Sequence, residues 1–186
     1  MSMNLDKHEL HEVLNTEAVK IYDLREPDGG WMQSTRLVFL SNPPQIIVTG
    51  DLCPGVHGIL SNMKYGIEWF GSQKSPGYLC EKFLREEWIP EKCQEALREY
   101  AKEPENRKDR AKLREIARDI EGWVSDSGKG AAEHQAYEAL LDLNQGYVDD
   151  GIPGYGYNQR EASLLVAIQK RFAELYTASQ ADKAAA

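Results

Sequence analysis

Residues 31–52 have the sequence WMQSTRLVFLSNPPQIIVTGDL, and this stretch decides the fold class. Its two halves, residues 31–41 and 45–52, are rich in β-branched and bulky side chains, which favour strands. Between them, Asn42-Pro43-Pro44 cannot continue a strand, because proline fixes its φ angle and donates no backbone hydrogen bond. The stretch therefore predicts two antiparallel strands joined by a turn.

The residues that flank this hairpin predict one helix and one further strand. Upstream, residues 5–23 carry apolar side chains near helical spacing, so we expect an amphipathic helix there. These apolar residues are Leu10, Val13, Leu14 and Ile21. Downstream, residues 56–60 follow the Pro54-Gly55 break and predict a short third strand, since a lone hairpin is only marginally stable.

From residue 62 onward, apolar residues recur every three or four positions, which is the period of a helix with one buried face. The predicted helices lie around residues 63–70, 78–84, 90–101, 113–123, 137–141 and 165–175. The fold class is therefore α+β, with a small antiparallel sheet of two or three strands packed with a helix-rich remainder.

A chain of 186 residues, of which 41% are hydrophobic, can bury one sizeable core. We expect a single domain over residues 1–177, followed by a disordered tail, 178–186, of small and weakly apolar residues. No run approaches the roughly 20 apolar residues that cross a bilayer, and the first ten residues lack the apolar core of a signal peptide. The sequence thus predicts a protein of the cytosol that has no membrane partner.

Four residues could form a tetrahedral metal site, because thiolate and imidazole are the ligands that zinc prefers. They are Cys53, His57, Cys80 and Cys93. Since Cys80 and Cys93 lie on apolar helical stripes, where cysteine behaves as a small hydrophobic residue, we predict no metal and no cofactor. A Cys53/His57 nucleophile pair is geometrically conceivable, but no further motif supports it.

Two glycine-containing segments superficially suggest nucleotide binding. Gly128-Lys129 lacks both the earlier glycine and the following Ser or Thr of a phosphate loop. Residues 151–156 lack the preceding strand and the glycine-opened helix of a dinucleotide fingerprint. We predict neither kind of site.

Charge is distributed unevenly along the second half of the chain. Residues 106–118 hold six basic residues against Asp109 and Glu115, a local net charge of +4, whereas residues 119–161 hold nine acids against Lys129 and Arg160, a local −7. Since the whole chain carries −8, we expect no direct binding to nucleic acid, and a partner with a basic surface. The plain alternative is that both regions are solvated faces.

A tyrosine- and glycine-rich loop follows the acidic helix region. Residues 144–159 contain three tyrosines, four glycines and Pro153, which is typical of an ordered surface loop. Tyrosines in such loops supply large contact area at interfaces. We therefore predict that Asp149, Asp150, Tyr155 and Tyr157 form a binding surface.

Three motifs occur in the same order in a known group of proteins. They are Pro27-Asp28-Gly29, Thr49-Gly50-Asp51 and Pro76-Gly77-Tyr78-x-x-Glu81-Lys82. Through them, residues 25–85 resemble uncharacterised accessory proteins of tailed bacteriophages and prophages. Cys53-Pro54-Gly55 departs from that family, in which a small aliphatic or aromatic stretch often follows. The resemblance transfers no activity, but it implies a phage accessory protein acting in the bacterial cytoplasm.

Acidic charge and this resemblance together predict a binding protein with no need of enzymatic activity. We expect it to bind and inhibit a host defence complex, as an anti-CRISPR does, through acidic mimicry of nucleic acid. The partner is then a host protein or ribonucleoprotein complex with a basic surface. Two alternatives stay open: a small-ligand-binding protein or enzyme using the Asp51, Cys53 and His57 region, and a host-takeover or replication accessory protein.

Overall fold

A computed structural model describes residues 5–27, 34–59, 66–72 and 75–185. Its contacts divide the chain into two compact units. Unit 1 contains the described residues up to Arg85 together with those from Gln159 onward, and unit 2 is Glu86–Asn158. The α+β fold class predicted from the sequence is confirmed. The single domain expected over residues 1–177 stays a prediction.

Unit 1 contains a five-stranded sheet in which each strand pairs antiparallel with the next along the chain. The strands are β1 (Glu9–Asn15), β2 (Val19–Arg25), β3 (Thr35–Ser41), β4 (Pro44–Gly50) and β5 (Cys53–Ile59). The predicted hairpin is β3–β4, which turns at residues 42–43 and pairs Phe39 with Ile46 and Leu37 with Val48. The predicted third strand is β5, which begins earlier, at Cys53; proline is tolerated there because β5 is an edge strand.

The helix predicted over residues 5–23 is wrong, because this segment forms the β1–β2 hairpin. Val13 and Leu14, which the helical stripe would bury, are 51% and 41% exposed. Thr16 closes the hairpin: its hydroxyl accepts from the Val19 N–H and donates to the Val19 carbonyl. Pairing of β2 with β3 stabilises the extended form of this segment. Because β3 lies outside residues 5–23, the apolar spacing within those residues gives no sign of this pairing.

Three helices complete unit 1: α1 (Gly66–Phe70), α2 (Pro76–Phe83) and α6 (Gln159–Ala185). Their apolar faces share one core with the sheet, and the ring of Phe172 in α6 lies 5.4–5.7 Å from those of Tyr22, Phe39 and Phe70. The buried Gln169 amide donates to the Phe70 and Ser72 carbonyls at 2.7 and 2.8 Å, which ties α6 to the end of α1. The helix continues through residues 178–185, where the sequence predicted a disordered tail.

Unit 2 is mainly helical and has its own core. It consists of β6 (Glu87–Trp88), α3 (Pro90–Tyr100), α4 (Arg110–Ser127), α5 (Lys129–Leu143), a 3₁₀ turn (Gln145–Tyr147) and β7 (Tyr155–Gly156). Between the helices predicted around residues 113–123 and 137–141, only Gly128 is not helical; its φ of +80° ends α4 and allows α5 to begin at the next residue. Leu97, Leu113, Ile116, Ile120 and Leu140 are the fully buried leucines and isoleucines of this core.

Among the described residues, no helix combines the length and the apolar character needed to cross a bilayer.

Candidate functional site

The tyrosine- and glycine-rich loop of unit 2 is held at its base by a short ladder. Glu87 and Trp88 of β6 pair antiparallel with Gly156 and Tyr155 of β7. The Trp88 indole, 1% exposed, donates from Nε1 to the Pro153 carbonyl at 3.1 Å. These bonds fix the backbone of the loop, so it presents its side chains without a large entropic cost of ordering.

Gly154 allows this loop to lie directly against the first turn of α3. Its φ is +103°, and a Cβ placed there would lie 2.6 Å from the backbone nitrogen of Cys93. The Gly154 carbonyl accepts from the Ile89 N–H at 3.0 Å, at the start of the same helix. A side chain at this position would have to displace helix backbone, so the close approach requires glycine.

Beside this loop, an open cleft of about 650 Å³ lies along one face of α5. It is lined by three carboxylates, two tyrosines and smaller contributions from neighbouring residues: Glu86, Glu133, Asp150, Tyr137, Tyr155, His134, Gly130, Gly151 and Ile152. None of these described lining residues is Lys or Arg. The cleft thus combines negative charge with aromatic surface, and we call it the acidic cleft.

One basic side chain adjacent to the lining along the chain is paired outside the cleft. Lys129, which precedes Gly130 of the cleft, forms an ion pair with Glu87 at 2.9 Å. That bond lowers the pKa of the Glu87 carboxyl below its ordinary value. Among the described residues, by contrast, Glu86, Glu133 and Asp150 form no ion pair, so no ion pair within this part of the chain neutralises the three carboxylates of the acidic cleft.

Tyr155 is oriented by one of these carboxylates. Its hydroxyl donates a hydrogen bond to Glu133 Oε1, and this bond raises the pKa of the Tyr155 hydroxyl. The ring remains 49% exposed. A tyrosine held by its hydroxyl while its ring faces solvent is prepared to pack against a partner side chain.

The structure brings together two of the four predicted binding residues. Asp150 and Tyr155 both line the acidic cleft. Asp149 is exposed and Tyr157 is half-buried, and neither is a lining residue. Of the two adjacent aspartates, which the sequence analysis does not distinguish, only Asp150 therefore lines the cleft.

Sequence reasoning missed Glu86, Glu133 and Tyr137. The spacing of Glu133 and Tyr137, four residues apart, is a usable signal, because it places them on the same face of α5. Glu86 carries no such signal, since it lies in a separate segment, immediately before β6.

Tyr147, the one tyrosine of the loop that was not predicted to bind a partner, has a structural role. Its ring stacks on that of Tyr100 at 6.2 Å, and its hydroxyl lies 2.9 Å from Asn106 Oδ1 and 3.1 Å from Asp109 Oδ2. Burial, followed by the hydrogen bond to Asp109, raises the pKa of this hydroxyl to about 12. The contacts of the Tyr147 hydroxyl tie the loop to the segment between α3 and α4.

The residues considered for metal or nucleophile chemistry are not assembled into a site. Cys80 is buried in unit 1, and Cys93 is fully buried in the core of unit 2, where burial raises the pKa of its thiol to about 11. Asp51 is exposed in the β4–β5 turn, while the side chains of Cys53 and His57 lie outside the described part of the structure. Within the described residues, no group of three or more His, Cys, Asp or Glu could hold a metal ion.

Comparison with protein-family models, with curated proteins and with solved structures gives no significant match. The resemblance of residues 25–85 to tailed-phage accessory proteins stays a prediction.

Proposed function

We propose that this protein is a phage-derived accessory protein that binds and inhibits a host defence complex, and that the acidic cleft is its docking surface. The occupant is a lysine- or arginine-bearing segment on the nucleic-acid-binding surface of that complex. One observation carries the proposal: two predicted binding residues, Asp150 and Tyr155, meet two further carboxylates in one open cleft that no described Lys or Arg lines.

Charge complementarity supports this kind of occupant. Carboxylates without ion-pair partners attract basic side chains, and guanidinium groups bind carboxylates through paired hydrogen bonds. Because nucleic-acid-binding surfaces present lysine and arginine to phosphates, a surface rich in carboxylates competes for the same groups. The net charge of −8 extends this attraction beyond the contact itself.

The tyrosines supply the contact area that charge alone lacks. Tyr155 is half-exposed and held by Glu133, and Tyr137 lies in the same cleft. Aromatic side chains at the centre of an interface carry a large share of binding energy, and an arginine can stack on their faces. The cleft thus offers both a charge partner and a packing surface to one basic side chain.

The inhibitory role is tested by expressing the protein in bacterial strains that each carry one defence system, CRISPR–Cas systems among them, and measuring phage plating efficiency. We expect plating to be restored on at least one strain by the natural protein and by Asp149→Lys, and to be lost with Asp150→Lys. No restoration on any strain would refute the inhibitory function.

The docking mechanism is tested on a complex captured from the rescued strain. Long-range charge attraction mainly raises the association rate, so Asp150→Lys should slow association more than it speeds dissociation. Added salt screens this attraction and should weaken binding. Asp149→Lys, one residue away and outside the cleft lining, is the matched control. Equal effects of the two reversals would show that general acidity, and not the cleft, attracts the partner.

A further inference from the structure

A second cleft in unit 2 has the opposite charge and lies on different helices. It is formed by the α3–α4 hairpin, has a volume of about 340 Å³, and is lined by Gln94, Arg98, Arg114, Arg118 and Glu121. We call it the arginine cleft. The proposed docking function does not use the arginine cleft.

Helical spacing creates the arginine cleft. Gln94 and Arg98 lie four residues apart on α3, and Arg114 and Arg118 lie four apart on α4, so each pair shares one helix face. Behind them, buried residues of both helices lock the hairpin together, namely Cys93, Leu97, Leu113 and Ala117. The polar side chains thus stand on a rigid support.

The arginines of this cleft are not neutralised by the fold. Among the described residues, Arg98 and Arg114 form no ion pair, and Arg118 only contacts its exposed neighbour Asp119 at 3.4 Å. The nearby Glu115 is paired with Lys112 instead, at 3.1 Å. Like charges four residues apart on a helix, as in Arg114 and Arg118, destabilise it, so stability of the hairpin does not explain their convergence.

We propose that the arginine cleft binds the phosphate monoester group of a small molecule about the size of a nucleoside monophosphate. Guanidinium groups match the oxygen geometry of phosphate and bind it through paired hydrogen bonds. Gln94 adds an amide that can donate or accept, and Glu121 can accept from a hydroxyl or amino group on the rest of the ligand.

Size and charge favour a small ligand over a polyanion. A volume of about 340 Å³ lies at the lower end of small-molecule sites. The Glu121 carboxylate in the lining and the net charge of −8 oppose the repeated phosphates of a nucleic-acid strand. A single phosphate group, unlike a nucleic-acid strand, needs only the positive charge of the three arginines that line the cleft.

The test is calorimetric titration of the full chain with two probes, inorganic phosphate and adenosine monophosphate. We expect saturable binding of both, tighter for the nucleotide. Arg98→Gln and Arg114→Gln should each weaken binding about tenfold, as expected for loss of one hydrogen bond to a charged group. Glu121→Gln should reduce the preference for the nucleotide over phosphate.

Arg107→Gln is the matched control, because Arg107 is exposed in the segment between α3 and α4 but does not line the cleft. Circular dichroism checks that each variant stays folded, which is expected since glutamine is a good helix former and all three arginines are exposed. Absence of saturable binding of either probe would overturn the proposal. The proposal would also be overturned if Arg107→Gln weakened binding of the probes as much as the two cleft variants do. It would likewise be overturned if a single-stranded oligonucleotide bound more tightly than the nucleotide and all three arginine variants weakened that binding equally. Either result would indicate diffuse charge attraction.

Discussion

Replacing Gly154 with alanine should destabilise unit 2 severely, and Gly151→Ala provides the matched comparison. Both glycines have positive φ, +103° and +91°, so both variants incur backbone strain of about 1–3 kcal/mol. Only at Gly154 would the new methyl group overlap other atoms, namely the backbone of Cys93 at 2.6–2.8 Å; at Gly151 no atom lies within 4 Å. Overpacking against helix backbone adds about 1–3 kcal/mol. We therefore expect a loss of about 4 kcal/mol for Gly154→Ala and about 2 kcal/mol for Gly151→Ala.

Urea denaturation followed by circular dichroism measures both losses, because α3, α4 and α5 supply the helical signal of unit 2. The difference between the two variants isolates the steric contribution, since the backbone strain is common to both. If the two variants lose the same free energy of unfolding, the loop does not pack directly on the first turn of α3. The geometry of the acidic cleft, whose Asp150 and Tyr155 flank these glycines, would then need revision.

Three further predictions concern other contacts. Tyr147→Phe should cost about 1 kcal/mol in urea denaturation, because it removes the hydroxyl beside Asp109 but keeps the ring stack; no loss would mean that this hydroxyl is hydrated. Iodoacetamide at pH 8, followed by peptide mapping, should label Cys93 about a hundredfold more slowly in the native protein than in urea, because burial blocks access and raises the thiol pKa to about 11. Comparable rates would place Cys93 outside the core. Arg36→Met should cost about 2 kcal/mol, because it leaves the buried Asp23 carboxylate without its bidentate partner at 2.7 and 2.9 Å; a neutral effect would show that water replaces the arginine.

Local sequence signals predicted the elements whose determinants lie within a short segment. The β3–β4 hairpin follows from two bulky runs around Asn42-Pro43-Pro44, and α3 begins at Pro90, as the sequence indicates. The β1–β2 hairpin was missed because its determinants are distant. Asp23 interrupts the apolar alternation of β2, and it is tolerated in a buried position because Arg36 of β3 pairs with it.

The candidate site was predictable only where one segment provides it. Asp150 and Tyr155 lie in the tyrosine- and glycine-rich loop, so composition indicates them. Glu86 and Glu133 come from two other segments, and nothing in the sequence states that β6 pairs with β7 or that α5 lies beside the loop. Composition also cannot distinguish Asp149 from Asp150, because only the folded structure shows which of the two lines the cleft.

The position of α6 along the chain affects how the protein is synthesised. Its residues Leu165, Ile168 and Phe172 cover the apolar face of the sheet, yet the ribosome makes them only after all of residues 86–158. At ordinary elongation rates this delay is on the order of 10 s, during which the nascent sheet lacks the part of its cover that α6 provides. Unit 2 is one continuous segment, Glu86–Asn158, so it can complete its own core before α6 of unit 1 is synthesised.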